Sequence, residues 1–221
     1  MRIQIITDPE YFTNFSGWQE KISGVEFVGE NPDLILDLAF LFPEQKLERL
    51  SKLDVGRATL VTNTLTVSAS SAASVLPAPM AIIGAPILPG YFDAQALIEF
   101  SLPLNAKIGA DQAYEFFKAI GKEGEEIEDC VAGVFPRSLS MIINEAAFAL
   151  QEKVATAADI DQAMKLGTNY PKGPLAFCDE IGAQAVVAIL DALAKEYGHD
   201  RYRVAPLLRR YAEADTKFHA V

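Results

Sequence analysis

The 221-residue chain contains few of the side chains that carry most nucleophilic, acid–base and metal chemistry. Its two cysteines, Cys130 and Cys178, have neither metal-ligand nor redox-pair spacing, so we interpret both as core thiols. Its two histidines, His199 and His219, both lie in the C-terminal half. A lone histidine in such a segment is more often a surface or capping residue than a catalyst. The sequence therefore predicts no metal site.

Long apolar runs and positive charge are also scarce. No apolar run approaches the roughly 18 residues that a membrane helix needs. The N-terminus turns polar after six residues, which is too early for a signal peptide, so we expect a cytoplasmic protein without a membrane partner. The net charge is -11, and residues 1–128 contribute 9 Lys and Arg against 18 Asp and Glu, a net charge of -9. Such an acidic half repels phosphates, so we expect no nucleic-acid partner.

What the first half does contain is an alternation of strand and helix patterns. Short β-type runs predict strands at 2–6, 25–29, 34–41, 58–63 and 80–85. Apolar residues at helical spacing predict helices at 43–54, 68–76 and 110–122. Residues 93–101 fit either type and are expected to end as a strand. This alternation predicts an α/β domain with a largely parallel sheet.

The second half has no β-type run after about residue 135. Helices are predicted at 134–153, 156–167, 179–198 and 205–215. We expect Gly167 to end its helix in a left-handed conformation, which glycine adopts easily, and Asp179 to cap the next helix. The predicted domains are 1–128, α/β, and 129–221, all-α. The acidic segment 120–132 is expected to be a solvated connection.

Residues 137–182 read RSLSMIINEAAFALQEKVATAADIDQAMKLGTNYPKGPLAFCDEIG. This segment resembles the C-terminal helical domain of the 3-hydroxyacyl-CoA dehydrogenase family, and the resemblance extends to Tyr211. The matching positions are Asn144-Glu145-Ala146, Asp159-Ile160-Asp161-Gln162-Ala163-Met164, Gly167, Gly173-Pro174, Asp179, Ile181 and Gly182. The resemblance implies a domain that packs against its copy in a homodimer and forms one wall of an acyl-CoA pocket. It also implies an oxidoreductase of fatty acid metabolism that acts on the CH–OH group of a 3-hydroxyacyl-CoA.

The first half resembles the same family's nucleotide-binding domain in PDLILDLAFLFPEQKLERLSKLD, ATLVTNTLTVSASSAA and GKEGEEIEDCVAGVFPR. The fold implied is a degenerate, shortened Rossmann-like domain. The dinucleotide fingerprint G-x-G-x-x-G should follow the first strand. Instead TDPEYFTNF follows, no glycine occurs before Gly17, and Asp8 and Glu10 stand where a pyrophosphate would lie. Although the resemblance implies NAD, we therefore expect no cofactor.

The resemblance also points to lost catalytic groups. IIGAPILPGYF, residues 82–92, occupies the position of the family segment that carries the catalytic histidine, and Pro86 stands at the histidine itself. A proline ring cannot transfer a proton. The family's catalytic asparagine falls on Pro136 and its serine on Leu65. Glu99 matches the family glutamate that orients the histidine.

Two candidate catalytic residues remain, Glu99 and Thr64. The candidate substrate-cleft residues are Asn63, Thr66, Tyr91, Arg137 and Asn144.

Three functions stay open. The first is a family member that has lost hydride transfer and keeps a dimeric scaffold, with or without an acyl-CoA-like cleft. The second is an active 3-hydroxyacyl-CoA or 3-hydroxybutyryl-CoA dehydrogenase that uses displaced residues such as Thr64, Tyr91 and Glu99. The third is a helical interaction module. We expect the homodimer because the apolar faces of 138–150 and 183–194 exceed what one helical unit of this size hides.

Overall fold

The structure is a computed structural model, and it describes residues 1–6, 26–54, 56–77, 81–91, 95–104, 110–198 and 200–219. The chain forms two compact units, Met1–Gly133 and Val134–Val221. Within the described residues, no helix is both long and apolar enough to cross a bilayer.

The first unit is α/β. Its strands are β1 (Arg2–Ile6), β2 (Glu26–Phe27), β3 (Leu34–Asp37), β4 (Thr59–Asn63), β5 (Ile82–Ala85), β6 (Leu97–Phe100) and β7 (Glu123–Glu126). Its described helices are α1 (Pro43–Ser51), α2 (Ala69–Val75) and α3 (Ala110–Ala119). The first five strands form one sheet in the order β2-β1-β3-β4-β5, and every pairing in it is parallel. The predicted α/β class with a parallel sheet is confirmed.

The connection from β2 to β3 is unusually short. These two parallel strands flank β1, yet only residues 28–33 join them. The chain crosses at the amino end of β1, where Arg2 Nη2 donates to the Glu30 carbonyl at 3.0 Å and Asp33 N donates to the Arg2 carbonyl at 2.8 Å. Parallel strands in one sheet are normally joined by a crossover of a dozen or more residues, usually with a helix. The first unit is therefore a shortened Rossmann-like domain.

Apolar side chains cover both faces of this sheet. Leu50 of α1 and Ala72 of α2 pack with Leu60 and Ile82 on one face. On the other face the core is built from strand residues and from α3, and its largest members are Phe100, Phe116 and Phe117. The carboxyl ends of the strands are thus held on a rigid two-sided core.

The acidic segment expected as a solvated connection is in part a strand. Glu123–Glu126 forms β7, which pairs in parallel with β6. The acidic composition misled the prediction, because three of the four residues are glutamates, which are rare in strands. Gly124 allows the pairing, since a Cβ there would come within 2.9 Å of Phe117 and 3.2 Å of Phe100.

The second unit is helical throughout its described residues. Its helices are α4 (Phe135–Gln151), α5 (Ala157–Thr168), α6 (Pro174–Ile181), α7 (Ala183–Tyr197), a 3-10 turn (Asp200–Tyr202) and α8 (Pro206–Glu213). The single helix predicted over 179–198 is wrong. Gly182 has φ +91 and separates α6 from α7, because a residue in that conformation cannot continue a right-handed helix.

Two further expectations differ from the structure. Gly167 lies inside α5, and Asn169 with φ +57 ends that helix instead. The division at 133 and 134 lies five residues after the predicted boundary at 128 and 129. The reason is Asp129, whose carboxylate accepts the backbone N–H groups of Ala69 and Ser70 at 2.8 Å each and so belongs to the first unit.

Candidate functional site

The polar residues of the first unit gather at the carboxyl edge of its parallel sheet. Asp37, Asn63 and Ala85 end three adjacent strands, β3, β4 and β5. In open α/β sheets, ligands bind in the crevice outside these strand ends. This edge is therefore where a binding or catalytic site of the first unit is expected.

Asn63 holds three loops of this edge together. Its amide nitrogen donates to the carbonyls of Leu38 at 3.1 Å and Ile87 at 2.8 Å. Its amide oxygen accepts the N–H groups of Leu65 at 3.1 Å and Ile87 at 3.2 Å. The side chain is 1% exposed, and all four of its usual hydrogen bonds are made within the protein. These contacts make Asn63 a brace between the loops, and its assignment to a substrate cleft stays a prediction.

The two threonines beside it are also packed into the protein. Thr66 Oγ1 donates to the Phe40 carbonyl at 2.5 Å, so its hydroxyl is committed to the loop after β3. Thr64 is 1% exposed, and its carbonyl accepts Ala132 N at 2.8 Å. The Thr64 methyl group lies over Gly84, where an added Cβ would come within 2.6 Å of it. The geometry does not support Thr66 as a ligand contact and gives Thr64 a packing role.

A buried ion pair lies at the same edge, and the sequence interpretation missed it. Lys46 of α1 is 1% exposed and Asp37 is fully buried, and their Nζ and Oδ2 atoms are 2.9 Å apart. Lys46 Nζ also donates to the carbonyls of Ala39 at 2.7 Å and Asn63 at 2.6 Å. These three acceptors match the three N–H donors of an ammonium group. One sign of this burial is present in the sequence. Lys46 lies four residues before the core residue Leu50, so both side chains lie on the same face of the helix.

Asp37 has further partners. Thr62 Oγ1 donates to its Oδ2 at 2.8 Å, and Arg49 Nη2 lies 3.2 Å from its Oδ1. The carboxylate therefore faces two cations and a hydroxyl, which compensates for its removal from water. The cluster braces β3, β4 and α1, and its ammonium group is oriented by acceptors of the protein itself.

Pro86, Glu99 and Gly133 meet at the end of β5. Pro86 is buried directly after the strand, and Glu99 lies on β6. A Cβ built on Gly133, which has φ +59, would come within 2.7 Å of Pro86 Cγ and would collide with Glu99 Oε2. The structure thus brings the retained glutamate next to the proline that stands at the family's histidine position. Tyr91 lies further along the same segment, where its N–H donates to the Leu88 carbonyl at 3.4 Å.

The remaining candidates lie in the second unit. Asn144 of α4 is 4% exposed, donates to the Arg203 carbonyl at 3.0 Å and accepts Ala205 N at 2.8 Å. Its amide fixes the start of α8, and the assignment of Asn144 to a substrate cleft stays a prediction. Arg137 donates to the Tyr197 hydroxyl at 2.6 Å, and its guanidinium lies 4.6 Å from the centre of that ring.

Two other expectations concern proline and cysteine. Pro136 lies in the first turn of α4, where a missing N–H costs nothing, so the residue at the family's asparagine position starts a helix. Cys178 is 1% exposed, and burial, with a smaller contribution from Asp179, raises the pKa of its thiol well above the usual range. It is a core thiol. The described residues contain no cluster of three or more potential metal ligands.

A protein-family model matches the helical unit. The model of the 3-hydroxyacyl-CoA dehydrogenase C-terminal domain matches residues 134–218.

Among curated proteins, the chain is 34% identical over 169 residues to a 3-hydroxybutyryl-CoA dehydrogenase of Clostridioides difficile, covering 76% of this chain and 59% of that protein. It is 31% identical over 189 residues to a probable 3-hydroxybutyryl-CoA dehydrogenase of Bacillus subtilis, covering 84% of this chain and 66% of that protein. The chain therefore spans less than two thirds of the length of these relatives. Their dehydrogenase names do not support the expectation that no cofactor binds.

Among solved structures, (S)-3-hydroxybutyryl-CoA dehydrogenase from Ralstonia eutropha matches with a TM-score of 0.77 at 21% identity, covering 97% of this chain and 94% of that one. At this identity the likeness concerns the fold, and it agrees with the two-unit architecture described above.

Proposed function

The chain belongs to the 3-hydroxyacyl-CoA dehydrogenase family, and from this premise we propose that it is a member that has lost NAD-dependent hydride transfer. It keeps the family's fold as a homodimeric scaffold with a cleft for an acyl-CoA-like ligand. The observation that carries this proposal is Pro86.

The family's reaction needs a base that takes the proton of the substrate hydroxyl. Pro86 stands at that position, next to Glu99, and has no group that exchanges a proton. Glu99 matches the family glutamate that orients the histidine, and the position of that histidine is taken by Pro86. The chain has only two histidines: His219 lies in the second unit, and His199 is outside the described residues.

A nicotinamide dinucleotide would supply the hydride acceptor, but the described residues do not fit it. A dinucleotide in a Rossmann fold lies across the carboxyl ends of the first strands. β2 pairs only with Arg2 and Ile3, so it ends three residues before Ile6, the last residue of β1. At about 3.3 Å per residue, β2 stops about 10 Å short of the edge. The wall that normally receives the adenosine half is therefore absent from the described strands.

The sequence after β1 argues in the same direction. Residues 7–15, which lie outside the described residues, contain no glycine and include Asp8 and Glu10. Without glycines, the backbone cannot approach a pyrophosphate closely, and two carboxylates repel it.

The shape of the carboxyl edge supports a retained cleft. Asn63 and Lys46 fix the loops after β3, β4 and β5 through hydrogen bonds within the protein. The carboxyl edge of the sheet thus keeps a defined shape, although proline takes the position of the family's catalytic base. The acyl-CoA-like ligand is proposed by analogy with the relatives, whose names specify acyl-CoA substrates.

The alternative is an active dehydrogenase with displaced catalytic residues. The retained Glu99 favours it, as do the names of the relatives. In that case Thr64 or Tyr91 would have to take over the proton transfer. The interaction-module alternative loses its main support, because the apolar face of 183–194 is buried inside the second unit itself.

The test is a titration of the purified protein with NADH and with acetoacetyl-CoA, followed by an activity assay with both. The Clostridioides difficile enzyme serves as the positive control. We expect no saturable NADH binding and no turnover. The Pro86→His variant is also expected to be inactive, because a base alone does not restore the hydride carrier. Saturable NADH binding at micromolar concentration, or turnover by the unmodified protein, would contradict the proposal and favour the displaced-residue dehydrogenase.

A further inference from the structure

Strand β7 has a partner on one side only within the described part of the chain. It pairs in parallel with β6, and no other described strand pairs with it. Glu123 N donates to the carbonyl of Ala96, just before β6, at 2.8 Å, and Ile127 N donates to a β6 carbonyl at 2.7 Å. Successive residues of a strand direct their backbone groups to opposite sides, so the N–H and C=O groups of Gly124 and Glu126 point away from β6.

The two faces of β7 differ in chemistry. On one face Gly124 lies against the ring of Phe100, and Tyr114 of α3 packs edge-on against the same ring with centres 5.1 Å apart. Tyr114 is 45% exposed, so part of this face is apolar and open to solvent. Because side chains alternate along a strand, Glu123 and Glu125 lie on the opposite face, and both are exposed.

A cavity opens where β6 and β7 end. Its volume is about 530 Å³, and it is lined by residues 102–104, which follow β6, and by residues 126–129, at the end of β7. The first wall is apolar, since it consists of two leucines and a proline. In the second wall Asp129 already accepts backbone N–H groups of α2, which leaves Glu126 and Glu128 as its exposed carboxylates.

Charge determines which strand this edge accepts. Three of the four residues of β7 are glutamates, and residues 1–133 contain 9 Lys and Arg against 19 Asp and Glu. Two β7 strands side by side would place glutamates against glutamates, which is unfavourable in cross-strand pairs, so a second copy of this chain does not fit. The same carboxylates stabilise an added strand that carries lysine or arginine. The charges that protect the edge from its own kind therefore select a basic partner.

We propose that the free edge of β7 is a docking site for an extended basic segment of a partner protein, which adds to β7 as a further strand. The backbone of that segment bonds to Gly124 and Glu126. Its lysine or arginine side chains, at alternate positions, lie beside Glu123 and Glu125, and the apolar side chains between them lie on the face of Tyr114. In strand addition, main-chain hydrogen bonds supply affinity and alternate side chains supply specificity.

The cavity at the end of β7 adds one position with a defined preference. Lysine and arginine combine an apolar methylene chain with a cationic end. The apolar wall of residues 102–104 contacts the methylene groups, while Glu126 and Glu128 on the other wall bind the cation. An acidic side chain would be repelled there, and an aliphatic one would leave both carboxylates without a cation. The segment therefore carries a lysine or arginine at this position.

The test is fluorescence polarisation of a labelled eight-residue peptide of alternating lysine and valine, titrated with the full chain. We expect saturable binding that weakens as the salt concentration rises, because the paired charges are exposed. A peptide of alternating glutamate and valine is the charge-reversed control and is expected not to bind. Amide exchange measured by NMR reports the geometry: the lysine peptide should slow exchange at Gly124 and Glu126, whereas Glu125, whose N–H faces β6, should change little.

Two variants of one residue separate the backbone contribution from charge. Glu126→Gln removes a carboxylate and keeps the N–H group. Glu126→Pro also removes that N–H group, which faces the free edge, and proline is tolerated at such a position because no bond to β6 is lost. We expect Glu126→Pro to bind the lysine peptide about two- to tenfold more weakly than Glu126→Gln, the range for one hydrogen bond.

A charge variant that keeps the whole backbone provides a second measurement. Glu123→Gln/Glu125→Gln is expected to weaken binding about fivefold, because two cross-strand charge pairs are lost. Glu30→Gln/Glu44→Gln removes two exposed glutamates of the same unit that lie outside β7 and is expected to leave binding unchanged. Equal affinities of Glu126→Pro and Glu126→Gln would mean attraction to an acidic surface without strand addition, and an absence of saturable binding would leave the glutamates as edge protection alone. Either result overturns the docking site, and neither involves NADH or acetoacetyl-CoA, so the two proposals fail independently.

Discussion

At the residue scale, Lys46 joins three parts of the first unit with one ammonium group. It bonds to the Asp37 carboxylate and to the carbonyls of Ala39 and Asn63, and it is 1% exposed. A buried ion pair of this kind adds little net stability over an apolar pair, but removal of one partner leaves a charge uncompensated. The contribution of Lys46 to stability is therefore best measured by substituting it.

We predict that Lys46→Met destabilises the protein by about 3 kcal/mol, because Asp37 then remains buried without its closest cation, although Arg49, Thr62 and the Ala39 N–H still bind it. The double variant Lys46→Met/Asp37→Asn is expected to lose less than the sum of the single losses, since the two residues are in contact. Urea unfolding monitored by circular dichroism measures both.

Lys52→Met is the control for this prediction. Lys52 forms an ion pair with Glu48 on the exposed side of the same helix, with Nζ and Oε1 2.6 Å apart. We expect the unfolding midpoint of this variant to stay close to that of the unmodified protein. Equal shifts for the two lysine variants would mean that burial of the Lys46 pair has no special importance.

The candidate site shows what residue types reveal from sequence and what they do not. The interpretation of Pro86 depended on identity alone, because no environment makes proline a base. The sequence could not decide whether Asn63 and Asn144 line a cleft, because amides serve equally well as ligand contacts and as internal braces. The bonded partners distinguish the two roles, and apart from Leu65 the backbone groups that bind these amides lie 24 to 61 residues away in sequence.

At the element scale, the sequence predicted most helices and strands of the main sheet because their apolar periodicity is strong. The failures are local. Glu123–Glu126 pairs as a strand against its composition, and Gly182 divides a helix pattern that is continuous in apolar spacing. In both cases tertiary context outweighs local propensity. The length of β2 could not be predicted either, since its pairing depends on where the chain crosses to β3.

The joint between α5 and α6 gives a prediction with a matched pair of glycines. Gly173→Ala places a methyl group against Asp161, whose Oδ1 would lie 2.5 Å from the new Cβ. We expect this variant to lower the melting temperature, because Asp161, which accepts the N–H groups of Leu175 and Ala176 at the start of α6, must move. Gly167→Ala meets nothing within 4 Å and lies within α5, so it is expected to stabilise by about 0.5–1 kcal/mol.

Differential scanning calorimetry of the two alanine variants provides the comparison. The two substitutions add the same methyl group to neighbouring parts of one unit, so they differ mainly in what that methyl group meets. A melting temperature of Gly173→Ala at or above that of the unmodified protein would mean that Asp161 has room to move and that the joint is not tightly packed.

At the scale of the whole molecule, charge is distributed unequally between the two units. Residues 1–133 contain 9 Lys and Arg and 19 Asp and Glu, a net charge of -10, whereas residues 134–221 contain 10 and 11, a net charge of -1. The nearly neutral unit is better suited to self-association, because two copies of it do not repel strongly. Its described surface also carries Val154 at 72% and Leu166 at 77% exposure.

We therefore predict a homodimer that forms through the helical unit, although not for the reason that the sequence first suggested. The apolar residues of 183–194 are largely buried within one copy, so the exposed residues Val154 and Leu166 are the better candidates for the interface. Light scattering of the unmodified protein over a range of concentrations is expected to give twice the mass of one chain.

The double variant Val154→Glu/Leu166→Glu tests the interface. We expect it to give the mass of a monomer, because two carboxylates would be buried against an apolar partner surface. The control Leu97→Glu/Leu104→Glu changes two exposed leucines of the first unit and should leave the dimer intact. A monomer at every concentration of the unmodified protein would contradict the prediction, and a dimer that survives the Val154→Glu/Leu166→Glu change would move the interface to another surface.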